Sequence, residues 1–425
     1  DTVSLDGPAG TITRPADHIF EMIGAELPLK FFRKVGIRLS GDWSGGRRIA
    51  LLVCMLLVYG LYAVKSSSLV FPFTLDAQPP PQSIGDWFWH VGASSPAQSA
   101  VTGALDALTA KLGFMGHNAW YALLYTVVVT TFGIQAARRW GKRDTHQYWR
   151  YASIIGFQIF FFLMVEGFLA YFLGLFGEEW GKHYWRGWGL AQPFPLFYNS
   201  FFWWYDGDPV ALKRFFTGAG LLLTFVGIPL FVRYHGLRFC TWICGCGGLA
   251  ETLGDTWRHL SPKGERSRLW EFQATIVLIW AVGSAAAIVF FFQTHGDNAV
   301  WESYAYVVDF WLVAVLPIGF YPFFGGKIWC RYWCPLANYM KLLSGWFGKL
   351  KIVSNDKCIT CTECSKYCQV GVDVMYYAKN QIPFDNTNTS CIHCGICIAV
   401  CPMDVLSFDS SGEVTLQLPG DEAAK

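Results

Sequence analysis

Charge is what this sequence has least of. Only 15% of its 425 residues are Asp, Glu, Lys or Arg, against about 25% in an average soluble domain. Hydrophobic residues make up 53% and aromatics 17%, and mean hydropathy is +0.30. A soluble chain of this length would need far more polar surface, so a membrane protein is expected. The net charge of +2 and the lack of a basic tract give no reason to expect a nucleic-acid partner. Residues 1–40 are mixed and polar, without the short apolar core after a basic start that marks a signal peptide. Histidine is sparse at nine residues, and none lies within a long hydrophobic run. With no Cys-x2-Cys-His either, neither b-type nor c-type haem is expected.

Long hydrophobic runs are plentiful. About 20 apolar residues cross the hydrocarbon core of a bilayer, and six segments qualify: Ile49–Val64, Ala119–Ala137, Tyr151–Phe176, Leu212–Val232, Phe272–Phe292 and Tyr306–Phe324. Lys and Arg gather in alternate connections. They precede the first run (Arg33, Lys34, Arg47, Arg48), follow the second (Arg138, Arg139, Lys142, Arg143) and fourth (Arg233, Arg238, Arg258, Lys263), and follow the sixth (Lys327, Arg331, Lys341). The positive-inside rule then puts these segments and both termini in the cytoplasm of a bacterium, with the chain in its inner membrane. Glu166 falls within the third run, two turns beyond Gln158. An intramembrane carboxylate is costly, about 2.5–3.5 kcal/mol on insertion scales, so Glu166 is a candidate catalytic residue for a quinone or a proton.

Thirteen of the fourteen cysteines lie from Cys240 onward; Cys54 stands alone. The clearest pattern is Cys358-x2-Cys361-x2-Cys364-x3-Cys368, followed by Cys391-x2-Cys394-x2-Cys397-x3-Cys401-Pro402. Two-residue spacings let three thiolates of one loop reach three corners of a cubane, while the fourth ligates the other cluster. One [4Fe-4S] cluster is therefore expected on Cys358, Cys361, Cys364 and Cys401, and a second on Cys391, Cys394, Cys397 and Cys368. Two runs of four argue against structural zinc, which takes cysteines in pairs. His393, between ligands, reads as a solvated loop residue. Over about residues 352–410 the pattern resembles the two-cluster bacterial ferredoxins, with Gln369 where that family usually has proline.

A second repeat precedes it. Phe239-Cys240-x3-Cys244-Gly245-Cys246 and Trp329-Cys330-x3-Cys334-Pro335 each end a hydrophobic span and lead into a Leu-Ala stretch. Both are expected at the cytoplasmic face. Cysteines at i and i+4 of a helix share a face, with Cβ atoms about 5–6 Å apart. Two such pairs would offer thiolates to one metal or cluster, drawn from Cys240, Cys244, Cys246, Cys330 and Cys334; a redox-active thiol pair and purely structural cysteines are the other readings. Arg238 and Arg331 beside them would favour the thiolate form. The arrangement resembles a family of membrane polyferredoxins with paired C-x3-C-P motifs, of the nitrous oxide reductase regulator and nitrate reductase quinol dehydrogenase subunit type. The first copy departs from that pattern, with Gly245 for proline and the extra Cys246.

Near the start, Val3–Leu5 reads as a strand with a turn at Asp6-Gly7-Pro8, and Pro28–Ile37 as a short helix. Together with Ala16–Gly24 they resemble the closing strand and helix of thioredoxin-reductase-like flavoproteins. That implies FAD on a fused domain or partner not contained in this stretch.

The expected fold is an α-helical membrane protein of about six transmembrane helices with a small α+β two-cluster ferredoxin domain. Residues 1–47 would be a cytoplasmic segment, 48–350 the membrane domain and 351–425 the ferredoxin domain. The expected role is electron transfer, as part of an oxidoreductase, between a cytoplasmic donor such as NAD(P)H through flavin and a membrane quinone or an outer-face redox partner. Other subunits would complete it. A metal reductase or assembly and regulatory factor is a second reading, and a redox-coupled ion translocator a third.

Overall fold

A computed structural model describes residues 2–7, 10–15, 34–36, 43–66, 96–111, 119–169, 193–196, 217–287 and 303–411. The chain divides into two units, Asp1–Arg48 and Ile49–Lys425. In the first, β1 (Thr2–Gly7) and β2 (Gly10–Pro15) form an antiparallel hairpin with Leu5 opposite Ile12. The expected strand is there, and it has an antiparallel partner that the sequence reading missed. Apart from residues 34–36, the expected short helix at Pro28–Ile37 and the Ala16–Gly24 stretch lie outside the described residues.

The second unit holds the bundle. Among the described residues six helices are long and apolar enough to cross a membrane: Gly45–Lys65, Ala119–Trp140, Thr145–Val165, Thr217–Trp242, Glu265–Ala287 and Tyr306–Phe324, spans 1 to 6 below. Each overlaps one of the six hydrophobic runs, of which 170–176, 212–216 and 288–292 lie outside the described residues. The helices reach beyond the apolar runs, so His146 and His235 fall inside spans 3 and 4 near their ends. Large apolar side chains stand exposed on their outer faces, among them Leu57, Val127, Leu222 and Ile279, as suits helices solvated by lipid. Span 1 is the most peripheral, packing mainly through Tyr59, Ala63 and their neighbours on Phe310, Trp311 and Val315 of span 6.

Two shorter segments fold back into this bundle. Span 4 bends at Gly236, whose φ of 56° takes the backbone into the region that glycine tolerates best. The helix Phe239–Trp242 follows, the chain turns at Ile243 and Cys244, and a first inner helix runs over Gly245–Thr252, continued by a 3-10 segment, Leu253–Leu260. The end of span 6 repeats the plan. Gly325 (φ 81°) breaks the helix, Ile328–Tyr332 follows, and a second inner helix spans Pro335–Phe347. The backbone bonds match as well: Cys244 N–H donates to Phe239 C=O at 3.0 Å and Cys334 N–H to Trp329 C=O at 2.9 Å.

Side-chain bonds fix the direction of the inner helices. Tyr125 donates to Gly245 C=O and Trp140 to Asp255, so the first runs parallel to span 2, starting fifteen residues, or about 22 Å of helix, before Trp140. On its other side Gln158 donates to Ile243 C=O, and Tyr151 to Asp255, antiparallel to span 3. The second runs parallel to span 4, with Tyr339 on Thr224 C=O and Lys349 N–H on Arg233 C=O, and antiparallel to span 5, with Asn338 on Thr275 and Lys341 on Glu271. Irregular backbone at such depth is tolerated only inside protein, where side chains such as Gln158 and Tyr125 satisfy its carbonyls.

The ferredoxin domain closes the bundle at the Trp140, Gln147 and Arg233 end. Its two-stranded sheet pairs β3 (Lys351–Ser354) with β4 (Leu406–Asp409), Ile352 opposite Phe408. Short helices Glu363–Lys366, Val374–Lys379 and Ile396–Ala399 lie between. His146 packs on Phe408 and Trp140 on Tyr367, so domain and bundle share a core.

Candidate metal centres

The eight ferredoxin cysteines fall into two groups. Cys358, Cys361, Cys364 and Cys401 line one small cavity with Met375, Val405 and Leu406. Cys368, Cys391, Cys394 and Cys397 line another with Val370, Phe384 and Ile396. In each group three cysteines belong to one run and the fourth crosses from the other. Left-handed residues open the loops so that successive thiols turn inward: Thr360, Thr362, His393 and Gly395 all have positive φ. Glycine accepts that region freely and histidine at modest cost, whereas a β-branched threonine is strained there. Burial pushes the Cys364 thiol up to about 11 and raises Cys391 and Cys397 as well. Ligation there must therefore displace protons. Four thiols around an apolar cradle fit a cubane, which supplies one-electron redox chemistry when bound. Among the described residues no three of His, Cys, Asp and Glu converge tightly enough for a single ion. Cubane thiolates bind four separate irons and stand further apart than ligands sharing one ion at about 2.3 Å.

His393 is no solvated loop residue. It is fully buried, and its Nδ1 accepts Leu237 N–H at 3.3 Å. A side chain on Gly236 would collide with its ring. Burial, then the Arg238 charge, lowers its pKa to about 4, so it packs as a neutral imidazole. Its position between cysteines suggested exposure because the docking partner lies about 155 residues earlier in the chain.

The C-x3-C cysteines are placed differently from expectation. Cys240, Cys244, Cys330 and Cys334 are all buried, and each lies within Coulombic range of the other three. They lie within the bundle beside the ferredoxin domain, Cys330 lining a small cavity with Val370, Ser390 and Ile392. The cysteines of a pair do not share one helix. Each chain turns between them, so Cys244 and Cys334 become the N-caps of the inner helices, with Cys334 Sγ accepting Ala337 N–H at 3.4 Å. A helix N-terminus favours the thiolate. The residue after each N-cap, Gly245 or Pro335, opens the helix; proline is preorganised there, and glycine serves the first copy. The fifth thiol, Cys246, lies close beside Cys244. The segments meet closely: a Cβ on Gly247 would collide with the Cys240 carbonyl.

The cations expected beside these thiols are engaged elsewhere. Arg238 lies over the Phe408 ring, and Arg331 pairs with Glu271 at 2.8 Å. Lys327 takes their place, its Nζ donating to Cys240 C=O at 3.1 Å. Glu166 lies on the helical turn Ile159–Leu169, but its side chain is outside the described residues.

Between the two groups of thiols runs a buried ionic network that the sequence reading missed. Glu251 on the first inner helix accepts from Arg150 and Arg258 at 2.8 Å and from Lys327 at 3.1 Å, all of them fully or almost fully buried. Asp255 accepts from Arg258, Trp140 and Tyr151. Three central cations against two carboxylates leave an excess of positive charge. Arg258 Nη1 reaches Cys394 Sγ at 4.0 Å at one end, and Lys327 holds the Cys240 carbonyl at the other. Gln369 belongs to this network, its amide donating to Glu251. A proline there would offer no such donor, which accounts for the departure from the ferredoxin pattern.

Comparison with known proteins agrees with this geometry. Residues 357–406 match the family model described as a 4Fe-4S dicluster domain. The chain is 26% identical over 203 residues to the putative electron transport protein YccM of Escherichia coli, covering 43% of this chain and 53% of that protein. It is 24% identical over 207 residues to the ferredoxin-type protein NapH of Haemophilus influenzae, covering 45% and 71%. Against the regulatory protein NosR of Pseudomonas aeruginosa it is 27% identical over 172 residues, covering 35% and 22%. The chain thus spans about half the length of YccM and a smaller part of NosR. No solved structure matches it. With a dicluster domain at its C-terminal end and six apolar helices before it among the described residues, the chain is similar over less than half its length to the membrane electron-transfer proteins YccM, NapH and NosR.

Proposed function

We propose that the chain carries electrons between a cytoplasmic donor and an acceptor reached through the membrane, a quinone or an outer-face redox partner. One [4Fe-4S] cluster is held by Cys358, Cys361, Cys364 and Cys401, the other by Cys368, Cys391, Cys394 and Cys397. The thiols of Cys240, Cys244, Cys330 and Cys334 hold a third redox centre, with Cys246 beside it. The donor is NAD(P)H through a flavoprotein, fused to the N-terminal segment or borne by another subunit. Both termini lie in the cytoplasm of a bacterial cell, as the Lys and Arg distribution implies.

The observation that carries this reading is a second group of buried thiols beside the ferredoxin domain. The Cys394 loop sits against Gln147 and Arg258 at the mouth of the bundle, and four further thiols are buried within the bundle, Cys330 in a cavity shared with Val370, Ser390 and Ile392. The chain's own residues supply what a conduit requires. Helix N-termini and Lys327 offset thiolate charge, the Arg150–Glu251–Arg258 network fixes the interval, and apolar spans exclude water. A scaffold for metal insertion would not need a second thiol group beside the first.

Cys330→Ser and Cys334→Ser test it. Both variants are expected to keep the two ferredoxin EPR signals, to lose the metal held beyond two [4Fe-4S] clusters, and to stop transfer to the membrane acceptor. Wild-type metal content together with wild-type transfer would make these cysteines structural and route electrons elsewhere.

A further inference from the structure

A cavity of about 170 Å³ lies behind span 1, between it, spans 2 and 6 and the first inner helix. Its walls are of two kinds. At one end, Tyr62 and Tyr121 share a hydrogen bond of 2.8 Å between their hydroxyls, and the Lys65 ammonium stands 4.1 Å from the centre of the Tyr121 ring. At the other end are Trp329, Cys246 and Cys330. Trp329 is 3% exposed, and its Nε1 finds no hydrogen-bond partner among the described residues. An orphaned buried donor carries a desolvation cost of about 1–3 kcal/mol unless a ligand accepts its proton. Between the ends the walls are apolar and aromatic: Phe162, Val313, Ile318 and Tyr321.

This lining answers one ligand chemistry. A flat ring with a carbonyl oxygen at each side needs a donor at each end, apolar faces between, and a route in from lipid. Span 1 supplies the route. It is the least buried helix of the bundle, and Leu52, Leu56 and Leu57 face outward from it. Cysteines of the inner segments form part of the wall, so a molecule in the cavity touches the buried thiol group directly.

We propose that this cavity binds the headgroup of an isoprenoid quinone, with Lys65 and the Tyr62–Tyr121 pair at one oxygen and Trp329 at the other. The proposal rests on the electron-transfer reading above and assigns its acceptor a site. In the forward direction the quinone gains two electrons and two protons and becomes the quinol. The electrons come from the two reduced iron–sulfur clusters, each of which is oxidised by one electron. The protons come from water through Lys65 and the tyrosine pair, which are reprotonated afterwards, so that no other reductant is consumed.

The test uses the full chain in lipid nanodiscs with decylubiquinone and an azido-quinone of the same ring. Photolabel is expected on the peptides carrying Tyr62–Lys65, Tyr121 or Trp329. Lys65→Met, Tyr121→Phe and Trp329→Phe are each expected to weaken decylubiquinone binding about tenfold, the loss of one hydrogen bond to a buried polar partner. Iron content and both ferredoxin EPR signals should stay at wild-type levels, which separates a lost ligand contact from a misfolded chain. If the wild-type chain binds the quinone and all three variants bind it equally well, the site is elsewhere while the quinone acceptor stands. If the wild-type chain neither binds nor reduces the quinone but reduces another acceptor, both the cavity assignment and the quinone reading fall.

Discussion

The ferredoxin domain and the bundle solve one problem, the convergence of four thiols, by different means. In the ferredoxin domain three of the four come from one loop, and left-handed residues such as Thr362 and Gly395 turn them inward. In the bundle no loop supplies more than one pair; the four meet because two broken helices pack against each other through Gly254 and Gly326. The first arrangement depends on local backbone geometry and tolerates partial exposure, as at Cys361. The second depends on the whole bundle and needs a buried ionic network to hold it. Ligand sets written into a loop survive much change around them, whereas sets assembled by packing are hostage to distant residues.

The widest separation between the regions should come from Glu251→Leu. It leaves Arg150, Arg258 and Lys327 buried without their carboxylate, at an expected cost of about 3–5 kcal/mol. Thermal unfolding of the purified chain in detergent should show a large drop in stability, with the bundle thiols affected before the ferredoxin clusters. Adding Lys327→Met should recover part of it. Unchanged melting of the single variant would mean that the network does not hold the bundle together.

Cys401→Ala should act strictly within the ferredoxin domain. EPR of the reduced protein is expected to show loss of the cluster at Cys358, Cys361 and Cys364, with its sequence neighbour at Cys391, Cys394 and Cys397 intact. Loss of the neighbour instead would undo the crossed grouping of the two cavities.

The smallest effect belongs to the joint between the regions. Gln369→Pro removes one donor to Glu251 and should cost about 1.5 kcal/mol, the lower range for a hydrogen bond to a charged group. Both clusters should assemble. Denaturant titration followed by cluster absorbance would detect the shift, and failure of cluster assembly would mean that Gln369 does more than join the domain to the bundle.

Much of this protein could be read from the sequence in segments. Six hydrophobic runs marked the spans because a helix in lipid must satisfy its backbone internally and present apolar side chains along its length. The Cys358–Cys368 and Cys391–Cys401 spacings marked the dicluster domain because its ligands are neighbours in the chain. The C-x3-C repeat was visible too, but the burial of its cysteines was not. A hydropathy profile follows a chain into the membrane and out again; it has no signal for a chain that turns at Gly236 or Gly325 and goes back in. The burial of His393 and the positions of Arg238 and Arg331 were misread for a related reason, since their partners lie far away in sequence.

What the sequence alone determined is therefore the inventory: the helices, their number, and cysteines in two repeated patterns. Which thiols meet, which of them are buried, and which cations stand beside them was decided by the tertiary structure. Coulombic and steric terms depend on distance through space, and in this bundle Glu251 finds Arg150 across a hundred residues of chain and Lys327 across three quarters of that.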